Sequence, residues 1–235
     1  MKKVILNHES YLMYDEILKF KKDFNSLKYN NIEFILFPSI QYLSMFKDEK
    51  YLVGASNFFS SKQGSYAGEV NLESLKDMGI NYTMIGQYQR IKIIGETKQM
   101  IKEKLFKSLN SKCNTLLCIG ETKGSKKGFY SIKKEINMYL KSLDKSNLKY
   151  LSIIYEPKYI VSKLDIVKLE NVYNKIKRYL KNKYNVNIDV YYNGFIDDEN
   201  DIKLFNIFDG IVLNKNGTSI NMIKNMCDKL EKNNI

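Results

Sequence analysis

The chain has 235 residues, 44% of them hydrophobic, and a mean hydropathy of −0.38, which describes a globule long enough to bury a full core. No apolar run approaches the roughly 18 residues that a membrane span requires, and Met1-Lys-Lys-Val-Ile-Leu-Asn7 returns to polar residues too early for a secretory signal; a cytoplasmic protein with no membrane partner is expected. The formal net charge of +12 comes from lysines spread along the whole chain. That reads as a solvated basic surface with weak attraction to polyanions and no specific nucleic-acid site. Cys113, Cys118 and Cys227 form no C-x-x-C pair, and the single histidine is His8. The common zinc-type ligand sets are therefore excluded, and no disulfide framework, metal or cofactor is expected.

Short runs of β-branched and aromatic residues recur in chain order: Val4–Leu6, Ile32–Phe37, Tyr51–Ala55, Tyr82–Ile85, Thr115–Ile119, Leu151–Tyr155, Ile188–Tyr192 and Gly210–Leu213. Several are continuous apolar runs, as suits parallel strands buried on both faces. Helical stripes lie between them: Ile101, Leu105, Phe106 and Leu109; Ile132, Ile136, Tyr139 and Leu140; Val167, Val172, Ile176 and Leu180. Asn71, ahead of Leu72-Glu-Ser, is placed as a helix N-cap. No low-complexity linker divides the alternation. Eight strand–helix units predict an α/β fold of the (β/α)₈ barrel type, one domain over residues 1–235.

In such a barrel, chemistry sits at the carboxyl ends of the strands. Those ends are Asn7-His8-Glu9, Pro38-Ser39, Ser56-Asn57, Gly86-Gln87, Gly120-Glu121, Glu156-Pro157, Asn193-Gly194 and Asn214-Lys215.

Gly54-Ala-Ser-Asn57, Gly64-Ser-Tyr-Ala-Gly-Glu-Val70, the run from Glu73 to Gly86, Leu117-Cys-Ile-Gly-Glu-Thr122, Ile154-Tyr-Glu-Pro157, Tyr192-Asn-Gly194 and Asp209-Gly210 follow one another in an order and spacing that resemble triosephosphate isomerase. The family reaction shifts a proton between the carbons of a triose phosphate through an enediolate. It needs a carboxylate base, donors for the developing oxyanion and a site for the phosphate.

The resemblance places Glu156 at the base position. Asn7 matches the first-strand asparagine, but the family's Asn-x-Lys reads Asn7-His8-Glu9, so Glu9 stands for the lysine; a register shift by one residue would put His8 there. A carboxylate for an ammonium beside a dianion exchanges attraction for repulsion, ~4 kcal/mol per charge pair at 4 Å and an effective dielectric near 20. The family's Gly-His-Ser-Glu-Arg-Arg becomes Gly86-Gln87-Tyr88-Gln89-Arg90-Ile91. Gln87, in place of the histidine, can donate an amide hydrogen bond but cannot exchange protons. Tyr88 is expected to fill space, and Gln89 replaces the carboxylate that would pair with the lysine.

At the phosphate site, Phe195 takes a serine position, and Asn214-Lys215 take the place of Gly-Gly, where backbone must approach closely. Lys163 and Lys215 are the cations left to contact an anion. The lid after Glu156, Pro157-Lys-Tyr-Ile-Val-Ser-Lys-Leu, lacks a Gly-Thr-Gly tip. Gly64–Glu69 keeps the shape of the loop that reaches into a partner subunit, with Ala67 for a threonine, so a homodimer through it is expected.

Three readings follow. The first is a pseudoenzyme with little or no triose-phosphate isomerase activity. The second is an aldose–ketose isomerase on triose phosphate or a less anionic substrate, with Glu156 as base and Gln87 and Asn7 polarising the carbonyl. The third, a basic nucleic-acid-binding barrel, has only the net charge behind it. The ligand expected, if any, is a small sugar phosphate or a relative of one.

Overall fold

A computed structural model describes residues 1–121, 128–158, 164–196 and 200–233. The chain alternates strand and helix in the order β1 (Lys2–Asn7), α1 (Tyr14–Asn25), β2 (Ile32–Phe37), a 3₁₀ helix (Ile40–Phe46) in place of an α-helix, β3 (Leu52–Ala55), α2 (Leu72–Asp77), β4 (Tyr82–Ile85), α3 (Lys98–Asn110), β5 (Asn114–Ile119), α4 (Phe129–Leu140), β6 (Leu151–Tyr155), α5 (Ile166–Tyr184), β7 (Val190–Asn193), α6 (Asp201–Ile207), β8 (Gly210–Leu213) and α7 (Ile220–Lys232). The strands pair in sequence and all in parallel, and β8 pairs back onto β1, so the sheet closes. This is the (β/α)₈ barrel that the alternation predicts.

Alternation along each strand divides the core in two. Ile5, Ile35, Met84, Leu116, Ile154 and Val212 point inward and fill the barrel together with Phe37, Cys118 and Tyr191. The intervening residues, among them Val4, Leu6, Leu36, Leu117 and Ile153, face the helices. Each such burial contributes roughly 1.5–3 kcal/mol. Phe37 fits because β3 offers Gly54 beside it; a Cβ there would lie 2.4 Å from the Phe37 ring. At the amino-terminal end, Lys3 bridges Glu33 at 3.6 Å and Asp189 at 3.1 Å, closing the barrel with a polar plug.

The helices start where side chains satisfy their first N–H groups. Asn71 caps α2 by accepting from Ser74 N at 2.8 Å, as expected. Thr97, Asp165 and Ser219 do the same for α3, α5 and α7. Two helical stripes need correction. Phe106 is 53% exposed, and α3 turns Ile101, Lys104, Leu105, Ser108 and Leu109 inward. One residue beyond Leu105 lies 100° further round the helix, off the buried face. Val167 is 76% exposed; the buried face of α5 runs Leu169, Val172, Ile176, Leu180 and Tyr184, at intervals of three and four where Val167–Val172 is five. The strand boundaries agree with expectation to within two residues, the largest shifts being the starts of β1, at Lys2, and of β7, at Val190. Among the described residues no helix is long and apolar enough to cross a membrane.

Candidate active site

Asn7 ends β1 inside the barrel mouth, and the next two residues part company. His8 is fully buried outside the barrel, its ring edge-on to Phe20 at 4.4 Å and its Nε2 3.2 Å from the Gly217 carbonyl. That contact makes Nε2 the protonated nitrogen, and burial pushes the His8 pKa down to about 4. Glu9 takes a left-handed backbone conformation with φ 47°, rare for a residue with a Cβ. The turn aims its side chain into a cavity of about 640 Å³ that is also lined by Ser39, Ser56, Gln87, Gln89 and Arg90. Glu9, and not His8, faces the mouth. Its carboxyl is pushed up by burial, which the Tyr11 hydroxyl partly offsets.

Glu9 receives the Gln89 amide at 3.4 Å and approaches Asn7 Nδ2 at 3.5 Å. Gln87 is buried at the end of β4; its Nε2 donates to the Ser56 carbonyl at 2.6 Å and its Oε1 accepts from Asn7 at 3.3 Å. One Gln87 N–H is thus held by backbone. Beyond it a π-helical turn, Arg90–Ile94, carries Arg90 to 3.6 Å from Glu96. Glu96 also pairs with Lys104, whose Nζ donates to Asn57 Oδ1 at 2.8 Å. This buried ion cluster, which the sequence reading did not single out, anchors the ends of β3 and β4 to α3.

Glu156 follows β6. Its backbone N–H donates to Ile119 O at 2.8 Å, and its carbonyl lies so close to β5 that a Cβ on Gly120 would be 1.8 Å from it. The side chain is buried and is not among the residues lining the 640 Å³ cavity. Its Oε1 accepts from Asn193 Nδ2 and its Oε2 from the backbone N–H of Tyr88, each at 3.0 Å. Burial raises the Glu156 pKa to about 7, against the Tyr88 hydrogen bond and Lys158, which lower it. Tyr88, read from the sequence as a space-filling residue, therefore contributes a backbone donor.

Asn193, absent from the residues picked out as functional, completes the mouth from β7. Its Oδ1 accepts from Asn214 Nδ2 at 3.0 Å, and Asn214 Oδ1 accepts from Asn7 Nδ2 at 3.0 Å. The signals for it were its place at the carboxyl end of the seventh strand and at a glycine of the resembled motif. A continuous hydrogen-bonded circuit runs from Ser56 through Gln87, Asn7, Asn214 and Asn193 to Glu156 and back to Tyr88. Asn7 Oδ1 is buried and has no partner among the described residues.

Of the other expected site residues, Phe195 is 40% exposed beside β7 and Lys215 is exposed in the 3₁₀ turn Lys215–Thr218. Lys163, and most of the lid behind Glu156, lie outside the described residues. Gly64–Glu69 is exposed throughout, with the Tyr66 ring 4.7 Å from that of Phe59. The structure thus gathers Asn7, Glu9, Gln87, Glu156 and Asn214 at one end of the barrel.

Fold and mouth together define a (β/α)₈-barrel protein with a buried carboxylate at the carboxyl ends of its strands, held by a backbone N–H and by the last of a line of side-chain amides. A family model for triosephosphate isomerase matches residues 2–229. Proteins named triosephosphate isomerase are similar to it: one from Lawsonia intracellularis at 28% identity over 72% of each chain, one from Mycoplasma pneumoniae at 33% over 71% of this chain and 70% of that one, and one from Dictyoglomus thermophilum at 27% over 84% and 86%. The chain belongs to the triosephosphate isomerase family.

Proposed function

We propose that this chain is a triosephosphate isomerase homologue with little or no triose-phosphate isomerase activity, a pseudoenzyme whose mouth no longer suits a dianionic substrate. The observation that carries the reading is the Glu9 carboxylate lining the mouth cavity, where the family motif calls for a lysine. Gln87 at the histidine position supplies no transferable proton. Asn193 and Asn214 put hydrogen-bonded side chains where the motifs have glycine, which disfavours the close backbone approach that a phosphate needs. Losing an oxyanion donor costs ~10²–10³ in rate and losing a proton-transfer group ~10²–10⁴, so an enzyme near the ceiling of ~10⁸ M⁻¹s⁻¹ falls by roughly four to seven decades.

One observation favours the second reading, an active aldose–ketose isomerase on triose phosphate or a less anionic substrate. Glu156 is buried with a pKa near 7, which is where a general base works best at neutral pH. A coupled assay of the purified protein with glyceraldehyde 3-phosphate, with Glu156→Ala as control, separates the two. We expect no rate above that of the variant; a kcat/KM above ~10⁶ M⁻¹s⁻¹ that the substitution abolishes would establish the isomerase and discard the pseudoenzyme.

A cytoplasmic homodimer is part of the same proposal. The exposed Gly64–Glu69 loop and the exposed apolar residues Tyr11, Ile40 and Ile93 on the cavity rim support the dimer; the three unpaired, buried thiols suit a reducing compartment.

A further inference from the structure

Asn193 and Asn214 sit on neighbouring strand ends, and each uses both ends of its amide. Asn7 Nδ2 donates to Asn214 Oδ1, Asn214 Nδ2 to Asn193 Oδ1, and Asn193 Nδ2 to Glu156 Oε1, each at 3.0 Å. Three amide dipoles line up head to tail with the donor end on the carboxylate. Their orientations are set by their surroundings. Turning Asn193 over would place its oxygen against Glu156. Turning Asn7 over would place its oxygen against Gln87 Oε1, Glu9 Oε1 and Asn214 Oδ1. The last of the three, onto the carboxylate, is charge-assisted and so among the stronger hydrogen bonds in proteins, and the two amide–amide bonds behind it polarise in the same direction.

We propose that Asn193 is a positioning residue for Glu156, and that Asn214 and Asn7 act on the carboxyl group through it: the amide line turns Glu156 toward β7 and the Tyr88 backbone and favours its ionised form against the burial that opposes it. It thereby ties the side chain of Glu156 to the cavity wall, where Asn7 meets Gln87. This deepens the functional reading above and rests on it for the interest of Glu156, but the hydrogen-bond geometry stands apart from any rate. The two asparagines also depend on one another. Asn193 alone would leave its Oδ1 without Asn214's N–H, and Asn214 alone would have no acceptor in Asn193, so the pair works as a unit.

Other charged or titratable groups face Glu156 as well. Glu9 from the end of β1 and Glu135 from α4 push its pKa up, Lys158 after β6 pulls it down, and Cys118 of β5 is buried beside it with its own thiol pushed well up. Lys158 is engaged with Glu135 at 2.5 Å. These groups are unchanged in the variants below, so a shift reports the amides.

The test is the titration of Glu156 in the full-length protein, followed by NMR of side-chain-carboxyl ¹³C-labelled glutamate and assigned with Glu156→Gln. Glycine, which the family motifs carry at both positions, is the replacement. Asn193→Gly is expected to raise the Glu156 pKa by about one to two units, the worth of one hydrogen bond to a charge. Asn214→Gly should raise it by less, and the double variant should match Asn193→Gly alone, since among the described residues Asn214 reaches the carboxylate through Asn193. An unchanged titration in folded Asn193→Gly overturns the proposal, and so do shifts that simply add in the double variant. Should Asn193→Gly not give a folded amide spectrum, Asn214→Gly decides alone: an upward shift supports the relay and no shift overturns it. The isomerase assay reports separately, because an active enzyme would sink the pseudoenzyme reading and leave the titration result standing.

Discussion

Gln89 donates its side-chain amide to the Glu9 carboxylate at 3.4 Å across the rim of the mouth. The resembled motifs place a lysine and a carboxylate at these two positions; here the carboxylate has moved to the first and a neutral donor stands at the second. The contact survives with its polarity reversed, which a change at one position alone would not achieve.

Reversing that charge should be visible in anion affinity. The double variant Glu9→Lys/Gln89→Glu is expected to bind inorganic phosphate at least tenfold more tightly than the parent by calorimetry. A tenfold change needs ~1.4 kcal/mol, well within the ~4 kcal/mol of a unit charge pair at 4 Å. Unchanged affinity would mean that the side chains at β7 and β8, and not Glu9, exclude the anion.

Glu156 and His8 should pull the pH dependence of stability in opposite directions. The Glu156 pKa rises from 4.5 to about 7 on folding, so its contribution is fully present below pH 4.5 and is lost as pH rises through 7. The His8 pKa falls from 6.5 to about 4, so its contribution is present above pH 6.5 and is lost as pH falls toward 4. Between pH 4.5 and 6.5 the two slopes nearly cancel. Glu156→Gln should make urea stability climb with pH across that window by about 2–3 kcal/mol, and His8→Gln should make it fall by a similar amount. Variants with the parent's pH profile would refute both assignments.

Removing one member of the buried ion cluster should cost more than a surface pair. Lys104 is 2% exposed and Glu96 3%, so Lys104→Ala leaves a buried carboxylate with only Arg90, at 3.6 Å, and is expected to destabilise the protein by about 3 kcal/mol. Lys107→Ala, which breaks a 2.9 Å pair with the half-exposed Glu73 and a hydrogen bond to the Ser61 carbonyl, should cost less, about 1–2 kcal/mol. Comparable urea midpoints for the two variants would contradict the buried cluster.

Sedimentation velocity should show a species of twice the 27.6 kDa chain mass. Ile93→Asp places a charge on a residue that is 74% exposed at the cavity rim and is expected to shift the protein to monomer without unfolding it. A parent protein that sediments as a monomer throughout the micromolar range would remove the dimer from the proposal.

Much of this was legible along the chain because it is local. Continuous apolar runs marked the eight strands, Asn71 marked the start of α2, and Asn7, Gln87, Glu156 and Asn214 were picked out by the resemblance of their strand-end motifs to those of the family. Phe106 and Val167 misled because a stripe drawn at i+5 departs from the helical period, and the buried Lys104 was missed because lysine reads as solvent-facing until its partner Glu96 is seen.

The sequence by itself determined the closed barrel and the family, since periodicity and motif spacing are properties of neighbours in the chain. Only the tertiary structure decided which of His8 and Glu9 enters the mouth, because that depends on the left-handed turn at Glu9 and the burial of His8 against Phe20. It alone decided that Asn7 reaches Asn214, 207 residues away, and that Asn193 reaches Glu156. Closure sets β1 beside β8 and β6 beside β7, and the donor–acceptor direction of an amide line exists only once its members stand side by side.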